Sequence, residues 1–161
     1  MIWAESITPE GFKFSATRKN HVPYIELFKQ QEFLLTKNEC VLVQRTTSKE
    51  QEKRITATII PQNFLDEHGG AVVENHVNVI YGDGLLPNLT TSVVEKLLNS
   101  SVIDRIFRCI SGSVAVSAYE LNAIPLPDVE DLRELQKLVD SGISSEKFEG
   151  FIAKLYGVSA S

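Results

Sequence analysis

Side chains able to do covalent or acid–base chemistry are few in this chain, and their spacing fits no known catalytic pattern. Cys40 and Cys109 make no CxxC or metal-type spacing, and His21, His68 and His76 are scattered. No glycine-rich loop of the GxGxxG or P-loop type is present to cradle a phosphate. The hydroxyl-rich stretches "RTTSKE" and "SGSVAVS" lack the GxSxG elbow that exposes a nucleophilic serine. A Cys–His dyad would have to be assembled from pairs that no motif brings together. The carboxylates are spread along polar helix faces, where solvation explains them. Taken alone, these residues describe neither an enzyme nor a metal centre.

Hydrogen-bonding side chains are another matter. The stretch "QRTTSKEQEKR", Gln44 to Arg54, packs Arg45, Lys49, Lys53 and Arg54 together with Thr46, Thr47, Ser48 and Gln51. It lies between two strand-like runs and is too long and polar for a tight turn, so a projecting β-hairpin is expected. Cations of this kind neutralise phosphate, and Arg, Gln and Asn pair with base edges. The plainer reading is a solvated hairpin tip whose charges keep a sheet edge soluble. A second polar cluster, "ENHVN", offers Asn75, His76 and Asn78 to read or hold a ligand, or simply to face water. Asp104, Arg105 and Arg108 read as a solvated or ion-paired helix face.

The elements that must position these groups are legible in outline. "ECVLVQRT" and "RITATII" are β-rich alternating runs. "GAVVENHVNVIYG" predicts a third strand, with Val73, Asn75, Val77, Val79 and Tyr81 on one face and Glu74, His76 and Asn78 on the other. "WAESI" and "GFKFSATR" predict short strands, and a short helix is expected near "IELFKQQEF". Ser92 and Glu95 form a capping-box pattern, and apolar residues at 94, 97, 98, 102, 106, 107 and 110 predict one long amphipathic helix over about 93–110. Ser117 with Glu120 predicts a further capped turn. Pro125 and Pro127 force an extended segment, Asp128 caps a helix to about Leu138, and Ser144 or Ser145 opens a last helix ending at Gly157. The expected fold class is α+β: a β-rich half with an antiparallel or mixed sheet packed on the long helix, then small C-terminal helices.

The bulk numbers agree with one globular domain. The chain has 161 residues, 43% of them hydrophobic, and no apolar run approaches membrane-spanning length. No signal peptide opens it, so a cytoplasmic setting is expected. The net charge of −5 conceals an asymmetry: residues 1–58 hold nine Lys/Arg against seven Asp/Glu, while residues 59–127 hold three against seven and residues 128–161 four against seven. Positive charge is concentrated in the N-terminal third, and local fields decide where a polyanion docks.

Three stretches in order, "VLVQRTTSKEQEKRITATIIP", "VVENHVNVIY" and "LLNSSVIDRIFRCISGSVAVSAYELNAIPLP", resemble the C-terminal part of γ-class N6-adenine DNA methyltransferases. These are the modification enzymes of type II restriction–modification systems, some fused to a nuclease. The resemblance covers residues 30–127 and extends towards Trp3. It implies that residues 1–127 are a DNA target recognition domain, with residues 128–161 a helical extension packed on it as one structural unit. In that family an N-terminal Rossmann-like domain with an Asn-Pro-Pro-aromatic motif binds S-adenosylmethionine, and the target adenine is flipped into it. Neither that motif nor a glycine-rich cofactor loop occurs here, so this chain is expected to be no enzyme by itself, and to be a piece of a longer adenine-specific methyltransferase or its partner in trans. The resemblance implies double-stranded DNA as ligand. Arg45, Lys49, Lys53 and Arg54 would meet phosphates, and Thr46, Thr47, Ser48 and Gln51 would supply neutral contacts, with Asn75, His76 and Asn78 as further candidates. The closing pattern also resembles type I specificity subunits, which implies an alternative: a protein–protein module docking on a methyltransferase through its acidic C-terminal helices.

Overall fold

Cys40, Val41, Leu42 and Val43 are all buried in the computed structural model, which describes residues 1–46, 51–82 and 89–159. A strand covered on both faces loses its alternation, which is why this run reads as continuously apolar. The chain divides into two compact units, Met1–Thr46 with Thr56–Tyr81, and Thr47–Ile55 with Gly82–Ser161. The architecture is α+β with antiparallel sheets.

In the first unit, β1 (Ile7–Thr8) and β2 (Gly11–Phe12) form a short hairpin, and β3 (Leu35–Thr36) pairs with β6 (Ala71–Val72). The main sheet places β4 (Cys40–Gln44) between β5 (Ala57–Ile60) and β7 (Val77–Ile80), both antiparallel to it. Its register sets Val43 opposite Ala57 and Asn78, and Gln44 opposite Val77. Helix α1 (Gln62–His68) ends at Gly69, whose φ of 68° is the left-handed cap that glycine adopts without strain. Ile2, Ile7, Leu42, Ile60, Leu65 and Val77 form the core of this unit.

Two readings of the N-terminal half are corrected. "GAVVENHVNVIYG" is not one strand: β6 and β7 belong to different sheets, and Glu74–His76 turn between them. The valines keep a period of two on either side of that turn, so the pattern runs through a break it cannot detect. "WAESI", expected as a strand, holds a 3-10 helix over Ala4–Ser6, whereas the short helix expected around "IELFKQQEF" does form, as the 3-10 helix Lys29–Leu34.

The second unit contains α2 (Thr91–Leu98), α3 (Ser101–Ile110), α4 (Ala118–Asn122), α5 (Val129–Asp140) and α6 (Ser145–Leu155). The expected long helix is therefore two. Asn99 and Ser100 favour caps over helix interiors, and Ser100 accepts the Val102 N–H as N-cap of α3. Glu149 of α6 strengthens the break by accepting from the Ser101 N–H and from both serine hydroxyls, at 2.8–3.2 Å. At the start of α2 the cap is Thr90 rather than Ser92, and Gln136 of α5 accepts both its N–H and its hydroxyl. The Ser117–Glu120 capping box, the Asp128 cap and the Ser144 cap form as expected. Among the described residues no helix is long and apolar enough to cross a membrane.

Candidate nucleic-acid interface

At the end of the β4–β7 pair two predicted clusters meet. Arg45 follows β4 directly, and its N–H donates to the His76 carbonyl at 2.9 Å. Its guanidinium donates to the Asn75 carbonyl at 3.1 Å while staying at the surface. Arg45, Thr46, Asn75 and His76 are all exposed here. Asn75 was expected on the apolar face; the turn puts it in solvent instead. Asn78 lies one step into β7, half-buried and opposite Val43.

Glu74 organises this turn. Its carboxylate accepts the His76 N–H at 2.9 Å and meets His76 Nδ1 at 2.6 Å. An ionised carboxylate only accepts, so Nδ1 is the donor in this contact, on a side chain that is 63% exposed. The surface here thus offers a guanidinium, an amide and an imidazole held by Glu74, the kinds of group that meet phosphates and base edges.

The far end of the polar stretch is arranged differently. Lys53 and Arg54 are half-buried in the second unit. The Lys53 ammonium donates to the Asn99 carbonyl at the end of α2, where a cation also complements the helix dipole. The Arg54 and Ile55 N–H groups both donate to Asp104, a buried carboxylate of α3. Asp104 in turn holds Arg108 at 2.7 Å, and Arg108 donates to the Glu52 carbonyl at 2.6 Å. Gln51 is half-buried. Thr47, Ser48 and Lys49 lie outside the described residues.

One organising residue, Glu74, was not singled out from sequence. Glu74 had a signal, since it stands two residues from His76 within a polar trio. Asp104 was read with Arg105 and Arg108 as a solvated or ion-paired helix face: the pair with Arg108 forms, four residues apart, and the carboxylate is buried rather than solvated. Among the described residues no group of three His, Cys, Asp or Glu is placed to hold a metal.

No protein-family model and no solved structure matches the chain. Its likeness is to type II methyltransferases. M.PstI of Providencia stuartii is 34% identical over 107 residues, 63% of this chain and 20% of the relative. M.BsuBI of Bacillus subtilis is 29% identical over 119 residues, 73% of this chain and 23% of the relative. The chain is thus related to a region of type II methyltransferases, and it spans about a fifth of the curated relatives' length.

Proposed function

We propose that this chain recognises a DNA sequence on behalf of an adenine-specific (N6) methyltransferase of a restriction–modification system, working in the cytoplasm. The observation that carries the reading is the partial match to M.PstI and M.BsuBI. It is supported by the exposed meeting of Arg45, Asn75 and His76, which arrive from two separate stretches of sequence. In this reading Arg45 holds a phosphate, and His76 and Asn75 approach base edges. S-adenosylmethionine and the transfer step belong to a catalytic part, supplied in cis or in trans.

The test is selection of duplexes from a random-sequence library by the 161-residue chain. A short enriched motif containing an adenine is expected; a pool indistinguishable from its input would remove sequence recognition. In the same assay Arg45→Ala lowers the dependence of log affinity on log salt by about 1, the share of one phosphate contact.

A further inference from the structure

The turn Thr17–His21, "TRKNH", is polar, exposed at its tip and yet held from many sides. Arg18, Lys19 and Asn20 are exposed, and the Arg18 side chain is 74% accessible. Below them Glu5, only 13% accessible, accepts from the Thr17 N–H at 2.8 Å and from the Thr17 hydroxyl at 3.1 Å, and it meets His21 Nδ1 at 2.9 Å. The Trp3 indole stacks on the His21 ring at 3.9 Å, tilted by 6°, and donates to the Val22 carbonyl at 2.9 Å. The His21 N–H closes the turn on the Arg18 carbonyl. A surface loop of this composition ordinarily keeps its conformational freedom, and each ordered residue costs entropy. Here a mostly enclosed carboxylate and the single tryptophan of the chain are committed to one shape of a loop whose tip is a cation pair.

The loop also shares its foundation with the turn described above. Glu74 N–H donates to the Ile2 carbonyl, and the Gln44 amide donates to the Ala4 and Ile7 carbonyls, at 2.8–3.2 Å. The stretch Ile2–Ile7 therefore anchors the Thr17–His21 loop through Trp3 and Glu5. The same stretch is bonded to the residues that flank Arg45 and His76. Arg18 lies 3.7 Å from Glu5, a long and largely solvated ion pair that leaves its charge available.

We propose that Arg18, Lys19 and Asn20 form a second, pre-shaped DNA contact, with Arg18 and Lys19 on phosphates and Asn20 within reach of a base edge or sugar, and with Glu5, Trp3 and His21 as positioning residues. This rests on the DNA reading of the chain. A loop already fixed in its bound shape loses little entropy on binding, which is what pre-organisation contributes.

The experiment is anisotropy titration of a labelled mixed-sequence DNA duplex with the 161-residue chain across a salt series. The double variant Arg18→Ala/Lys19→Ala is expected to lower the salt slope by about 2 and to weaken low-salt binding roughly tenfold. Glu5→Gln separates shape from charge. It makes the protein less acidic, so attraction alone would tighten binding, whereas loss of the loop's anchor weakens it and changes Trp3 emission, with far-UV circular dichroism intact. Salt-dependent binding by the wild type that the double variant retains in full overturns the loop contact and leaves the DNA reading standing. Tighter binding by Glu5→Gln overturns the positioning role. If the wild type shows no salt-dependent binding, the DNA reading falls, and the loop contact with it.

Discussion

Desolvation pushes the Glu5 carboxyl up, but hydrogen bonds from His21, Thr17 and Arg18 together hold it below the ordinary value of 4.5. A group depressed in this way adds stability that is fully present above the unfolded-state value and is lost as pH falls through the folded value. Glu120 behaves likewise, held down first by Ser111 and then by the Ser117 N–H and hydroxyl. Acid should therefore loosen the first unit in part through Glu5. The expected outcome is that Glu5→Gln narrows the stability difference between neutral and acidic pH, as measured by urea midpoints on either side of the carboxyl range. An unchanged difference would mean that Glu5 is as protonatable folded as unfolded. Little of this was legible beforehand. Glu5 meets residues 12 and 16 positions away, and no local pattern marks such a contact. The Arg45 and His76 clusters were legible as polar stretches, but only the antiparallel register of β4 and β7 shows that they touch.

The elements show where periodicity informs and where it misleads. β4 was readable because its buried residues are consecutive, and α5 and α6 because their caps, Asp128 and Ser144, precede clear helical runs. The α2–α3 break was hidden because apolar spacing continues across it, while Glu149, the group that stabilises the break, lies 48 residues on. Asp104 is the corresponding device at the other side of α3. It replaces water for two backbone N–H groups of the incoming segment and is itself neutralised by Arg108. Asp104→Ala leaves those donors without their acceptor and is expected to cost about 2–4 kcal/mol, given the worth of hydrogen bonds to charged groups. Chemical denaturation measures this. A loss within ~0.5 kcal/mol, the range of an ordinary surface change, would show that water replaces the carboxylate.

On the scale of the whole molecule, the chain passes from the first unit to the second at Thr47, returns at Thr56, and leaves again at Gly82. Residues 51–55 connect strands of one unit while their hydrogen bonds run to Asn99, Asp104 and Arg108 of the other. No single cut therefore separates the two. A fragment ending at Tyr81 carries the polar stretch without the helices that hold its far end. Hydrogen exchange at Arg54 and Ile55 is expected to be fast in that fragment and slow in the full chain. Equal protection in both would mean that the helices of the second unit are not what orders the segment.

The loop at Thr17–His21 divides its labour by position. Trp3, Glu5, Thr17 and His21 set its shape, and Arg18, Lys19 and Asn20 occupy its tip. Substitutions at the tip remove none of these frame contacts, so the chemistry of the tip can change while the loop keeps its shape. If the chain reads DNA as proposed, such a frame lets the contact change without loss of the fold.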